Sequence, residues 1–212
     1  MIMKELLEAY NAKKSDIRKR LEEFKKIAGQ PDEKLFSELA FCILTPQSKA
    51  TTSWNAIQAL ERNNLLLKGD EKQIRPFLQA VRFCETKSKR IVDNRNFLTE
   101  NGKLKIKERM LDKDAYSLRE WLVENIDGYG MKEASHFIRN IGLSDNKLAI
   151  LDTHILKNLK YYDVIGDIPK SLTKKKYLEI EQKMKDFAEK IRITMDELDI
   201  LLWSKETGMI FK

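Results

Sequence analysis

The chain has 212 residues, with 40 Lys+Arg against 33 Asp+Glu, a net charge of +7 and an isoelectric point near 9.2. The basic excess suits a polyanionic partner and equally a salt-bridged surface of the thermophile kind. No apolar run reaches membrane-spanning length, the mixed charges of Met1 to Glu5 are unlike a secretion signal, and Cys42 and Cys84 stand far apart without a Cys-x-x-Cys pair. These features argue against a membrane span, a zinc site and an iron–sulfur cluster, and a soluble cytoplasmic protein with reduced thiols is expected.

With only 8 Gly and 4 Pro, long helices should dominate, and the apolar residues recur at helical rather than alternating spacing. Ser15 is placed to cap a first helix ending near Gly29, with Ile17, Leu21, Phe24 and Ile27 on its inner face. Pro31-Asp32-Glu33 opens a second helix over 35–44, which Thr45-Pro46 stops. Ser48 is the expected cap of a third, reaching residue 60. Further helices are expected over 71–84, 86–98, 116–126, 131–141, 153–159, 173–191 and 195–204. Ser117 with Glu120 and Thr194 with Glu197 match capping-box spacing. No strand is evident. The fold class is therefore all-α. A central bundle over 31–142 would pack against a second lobe made of 1–30 and 143–212, with a cleft between them where a ligand site is expected.

The segment from Ile126 to Asp152 carries the clearest chemistry. Gly128 and Gly130 bracket Tyr129 in a tight turn, and a helix begins at once, so backbone N–H groups and the positive helix end suit a phosphate. Lys132 sits in the first turn of that helix. If uncharged, its amine can attack the anomeric carbon of a nucleotide, expel the base and leave a Schiff base; a surface lysine is the plain alternative. Asp152 sits where the next helix starts. It can be a cap worth about 1 kcal/mol, and it can also face the cleft and stabilise a cationic sugar. The two histidines, His136 and His154, have no partner at metal-ligand spacing. The turn Thr45-Pro46-Gln47-Ser48 offers Gln47 as a group that could enter a base stack. Phe83 and Trp203 are candidate stacking rings, although both also fit helical core positions. The tail Thr207–Lys212 is apolar and ends in a lysine, which suggests that it is tucked in.

Gly128-Tyr129-Gly130-Met131-Lys132 resembles the hairpin of the helix–hairpin–helix DNA glycosylase superfamily, with the motif at about 118–141. Leu151-Asp152-Thr153-His154, twenty residues beyond the lysine, resembles its aspartate motif. Leu44-Thr45-Pro46-Gln47-Ser48, Arg82-Phe83 and the terminal lysine are most similar to the compact 8-oxoguanine DNA glycosylase/lyase family of archaea and thermophilic bacteria. The resemblance implies base-excision repair, with Lys132 as the Schiff-base nucleophile and Asp152 as the catalytic carboxylate. It implies that Gln47 penetrates the duplex, that Phe83 and Trp203 sandwich the displaced base, and that Lys212 reaches the base pocket. The partner would be double-stranded DNA containing oxidised guanine, bound by a monomer. A monovalent cation on the hairpin carbonyls from Ile126 to Met131 would be the only inorganic group, with no iron–sulfur cluster and no zinc. Asp127 departs from the proline common in such hairpins. Two alternatives stand beside this reading: a glycosylase/lyase for oxidised pyrimidines and a non-catalytic DNA-binding module.

Overall fold

The computed structural model describes residues 2–212. Its first helix, α1 (Ile2–Ile27), runs straight through Ser15. The apolar period does not begin at Ile17 but extends back to Leu6 and Tyr10, which are buried on the same side as Ile17 and Phe24. Pro31 opens α2 (Asp32–Leu44), whose residues from Leu35 onward are all buried. Lys49, not Ser48, is the N-cap of α3 (Ala50–Arg62). Ser48 is engaged elsewhere, its Oγ accepting the backbone N–H of Arg82 at 3.0 Å.

The helix expected over 71–84 is broken. After α4 (Leu65–Lys68), a capping box of Asp70 and Gln73 starts α5 (Glu71–Ile74), and a 3₁₀ turn, Arg75–Leu78, follows. Pro76 lies in that turn, where its missing N–H and rigid ring prevent a continuous α-helix. The chain restarts as α6 (Cys84–Phe97) with Phe83 at its N-cap. A small hairpin, β1 (Thr99–Glu100) and β2 (Lys103–Leu104), was not anticipated. Asn101 and Gly102 both have positive φ, 50° and 74°, as a two-residue hairpin turn requires.

α7 (Ile106–Met110) leads into α8 (Ala115–Asn125), which is capped by Asp114 rather than Ser117. α9 (Met131–Asn140), α10 (Thr153–Tyr161), α11 (Lys174–Ile191) and α12 (Met195–Thr207) complete the order. Thr194 and Glu197 form the expected capping box at the start of α12. Among the described residues no helix is long and apolar enough to cross a membrane.

Two buried clusters organise these helices. One runs from Leu35 to Leu148 and is centred on α2; the other joins α1 to residues from Ala149 to Leu202. The chain therefore changes lobes between Leu148 and Ala149. A buried ion pair crosses the boundary at that place: Arg119 of α8 donates both terminal nitrogens to Glu181 of α11, at 2.6 and 2.9 Å. Glu181 also accepts the backbone N–H of Ala149 at 2.7 Å, and Tyr177 donates to the Ala149 carbonyl at 2.6 Å. The lobes also meet closely at Gly142 (φ 73°), where an added Cβ would lie 2.4 Å from Cα of Lys25.

Removing one partner of a buried ion pair strands the other. Glu181→Ala should therefore lower the unfolding free energy by about 3–5 kcal/mol. The double change Arg119→Met with Glu181→Leu should cost less than Glu181→Ala alone. Urea-unfolding midpoints check both; a double variant as unstable as the single one would contradict this account of the bridge.

Candidate active site in the interlobe cleft

The hairpin is fixed from both sides. α8 ends in extended backbone at Ile126, and Gly128 takes φ 88° with Arg90 packed against it. The positive φ favours glycine there, and a Cβ would lie 2.8 Å from the Arg90 side chain, whose flexible end would have to shift. The Asn94 amide clamps the backbone of Asp127, donating to its carbonyl and accepting its N–H, each at 2.9 Å. The Asp127 carboxylate lies 3.4 Å from Arg90, which offsets the charge that replaces the usual proline. Tyr129 is buried and donates its hydroxyl to the Leu39 carbonyl at 3.0 Å, so the tip of the turn is tied to α2. Two amides of the turn expected to face a phosphate are taken: the Tyr129 N–H donates to the Ile126 carbonyl at 3.1 Å and the Gly130 N–H to Glu133 at 3.2 Å.

This turn aims α9 into the cleft. Lys132 has its Nζ 3.4 Å from a Glu133 oxygen and 3.4 Å from Thr45 Oγ1, with 21% of the side chain exposed. Asp152 caps α10, accepting the Ile155 N–H at 2.8 Å. Capping uses Oδ1, so one carboxylate serves the helix and still faces the cavity.

Lys132 and Asp152 line a single cavity of about 970 Å³. Gln47 and its neighbours 45–51 form one wall, Asp199 and Trp203 of α12 another, and Lys212 lies at one end. Gln47 has φ 57°, a left-handed conformation that a glutamine adopts only under constraint. Lys212 pairs with Glu38, and its amine sits 3.6 Å from the centre of the Trp54 ring. Burial lowers the pKa of that amine against the opposing pull of Glu38. The end of the tail, Phe211 and Lys212, is thus packed against α2 and α3, whereas Met209 stays exposed.

Phe83 is the exception among the expected base-pocket residues. It lies outside the cavity, 53% exposed, with φ 60° and the Arg82 guanidinium 5.0 Å from its ring. It is neither a core residue nor a wall of the cavity.

Four residues in or beside the cavity escaped the sequence reading. Glu133 pairs with Lys132, and the Gly130-x-x-Glu133 spacing of a capping box could have flagged it. His136, one helical turn after Lys132, is buried with both ring nitrogens unpartnered, and burial holds its pKa well below the ordinary histidine value. Asp199 is buried, 3.5 Å from Arg139, with Oδ1 unpartnered; burial first, then Asp152 and Asp196, raise its pKa to about 7 against the pull of Arg139. Arg139 completes this buried corner. Only their place in the fold marks the last three. Among the described residues no group of three or more His, Cys, Asp or Glu could hold a metal ion, and both cysteines are free thiols.

Known proteins are similar to this chain in sequence and in fold. The sequence model of 8-oxoguanine DNA glycosylase matches residues 17–193. An 8-oxoguanine DNA glycosylase/AP lyase of Fusobacterium nucleatum is 46% identical, over 98% of this chain and 96% of its own length. The protein of the same name from Methanocaldococcus jannaschii is 37% identical, with all of both chains aligned. The crystal structure of the Methanocaldococcus jannaschii 8-oxoguanine glycosylase/lyase in complex with 15mer DNA containing 8-oxoguanine superposes with a TM-score of 0.88 at 34% identity, covering 100% of both chains. The 8-oxoguanine DNA glycosylase of Thermotoga maritima superposes at 0.87 with 32% identity, covering 100% of this chain and 98% of that one. With hairpin, lysine and aspartate set as described and likeness running the length of the chain, the protein belongs to the 8-oxoguanine DNA glycosylase family.

Proposed function

We propose that the protein removes 8-oxoguanine from duplex DNA and then nicks the strand through a Schiff base on Lys132. The observation that carries this reading is the convergence of Lys132 and Asp152, from opposite lobes, on one cavity large enough for a nucleotide. Relatives named for this activity, aligned over nearly all of the chain, support the choice of lesion.

The damaged nucleotide leaves the stack and enters the cavity, at an unstacking cost that a damaged or mispaired base reduces. Hairpin amides and the N-terminus of α9 hold the adjacent phosphates, a grip that weakens with salt. Gln47 fills the vacated place, Trp203 stacks on the base, and Lys212 reaches its edge. The Lys132 amine sheds a proton, for which the carboxylate of Glu133 is the nearest acceptor. Its lone pair forms the bond to C1′ as the C1′–N9 bond breaks, and Asp152 stabilises the positive charge that builds on the sugar. The aminal so formed opens as its C1′–O4′ bond breaks and O4′ takes up a proton, and the resulting iminium acidifies the C2′ proton. Loss of that proton breaks the C3′–O3′ bond and cuts the strand 3′ of the lesion.

A monovalent cation would suit the hairpin carbonyls. Those of Ile126, Asp127 and Gly130 each accept one hydrogen bond and retain a second lone pair. It would brace the turn without entering the reaction. Action as a monomer in the cytoplasm completes this reading.

Borohydride should trap the wild-type protein covalently on DNA containing 8-oxoguanine, and Lys132→Gln should abolish the trapped band on a denaturing gel. A band that survives in Lys132→Gln would exclude Lys132 as the nucleophile.

Asp152→Asn preserves a side chain able to cap α10, so stability and DNA binding should hold while single-turnover base release slows about a hundredfold or more. Rates equal to wild type would leave Asp152 with its capping role alone. Equal or faster release of thymine glycol than of 8-oxoguanine would shift the substrate assignment to oxidised pyrimidines.

A further inference from the structure

Beside the cavity the fold buries another amine. Lys87, in the first turn of α6, is 3% exposed and does not line the cavity. Its Nζ donates to the backbone carbonyls of Leu44 at 2.8 Å and Pro46 at 2.7 Å, and to Ser48 Oγ at 3.4 Å. These acceptors bracket Gln47, the residue with the left-handed backbone. Such a conformation persists only where the surroundings over-determine it, and the Lys87 bonds to either side of Gln47 supply that constraint. Ser48 Oγ, in turn, accepts the backbone N–H of Arg82. One ammonium therefore reaches both the Gln47 turn and the turn that presents Phe83, which is itself left-handed. Burial, with repulsion from Lys132 and Arg90, pulls the Lys87 pKa down to about 8. An apolar side chain would fill the space without that desolvation.

We propose that Lys87 is a positioning residue that locks the Gln47 turn and the Arg82-Phe83 turn into one unit, so that Gln47 and the exposed ring of Phe83 meet the duplex together. The inference rests on the glycosylase reading above and on Gln47 as the inserting group. Lys87 acts through these residues and touches neither sugar nor base.

The test compares single-turnover cleavage of two duplexes. One carries 8-oxoguanine opposite cytosine; the other carries a ready-made abasic site, which has no base to extrude. In Lys87→Met the ratio of the first rate to the second should fall about tenfold relative to wild type. Ser48→Ala leaves the buried amine in place with its two carbonyl acceptors and removes the hydroxyl that joins it to Arg82; it should lower the same ratio, and it carries the test if Lys87→Met does not fold. The combination of Lys87→Met with Gln47→Ala should be no slower on the lesion duplex than the slower single variant, because both act through one element.

An unchanged ratio in Lys87→Met and Ser48→Ala overturns the assignment, whether both rates stay high or both fall together. Full additivity with Gln47→Ala overturns it as well. Failure of the underlying reading has its own signature: wild type cleaves neither duplex, or Gln47→Ala alone leaves the lesion rate untouched. Either result removes this inference along with its premise.

Discussion

The geometry of the cleft depends on one buried ion pair. Arg119 belongs to the lobe built around α2, and Glu181 belongs to the other. Their bidentate contact is charge-assisted and directional, so it sets an orientation as well as a distance. Glu181 accepts the Ala149 N–H with an oxygen that also binds Arg119, and Tyr177 holds both the Ala149 carbonyl and, at 3.4 Å, the Leu151 N–H. The strap leading to Asp152 is thereby hung from the same bridge that joins the lobes. The Arg119 guanidinium lies 5.7 Å from the ring of Tyr116 and 5.8 Å from that of Tyr177, which gives the buried charge aromatic faces as well as a counter-ion.

Within the cleft, charge is distributed unevenly. Lys132 has Glu133 for a neighbour, whereas Asp152 faces the cavity with one oxygen committed to its helix. Behind them, Asp199 and Arg139 meet at 3.5 Å with nitrogen and oxygen atoms left unpartnered, and His136 is unpartnered beside them. A fold built for stability alone would satisfy such groups or replace them with apolar ones. Those of Asp199, Arg139 and His136 belong to residues that line the cavity and give its wall polar character.

Local chemistry decided what could be read from the chain. The hairpin was legible because two glycines around a tyrosine impose a turn wherever they occur, and Asp152 was legible because a helix start prefers a carboxylate at its N-cap. Lys132 followed from its distance to both. The end of α1 and the capping box of α12 are equally local. The misreadings arose where a local signal met a stronger one. Ser15 signals a cap, but the buried face from Leu6 to Phe24 carries the helix past it. Pro76 outweighs the apolar period around it. The strands of the small hairpin are two residues each, too short for any alternation to appear. Asp199 and Lys87 could not be identified at all. Each sits on a helix among residues of unremarkable pattern, and its significance is a matter of which atoms from distant segments come to lie against it.

The contact at Gly142 has a mechanical consequence. There the backbone of α1 approaches so closely that even a methyl group has no room, and the Arg119–Glu181 bridge fastens the same two bodies elsewhere. A jaw with two such rivets leaves little travel for clamping down on a substrate. In an encounter with a double helix, the compliance must come from the nucleic acid: the duplex bends and unstacks to meet a fixed anvil, and the ease with which a given sequence kinks contributes to how quickly its lesions are reached.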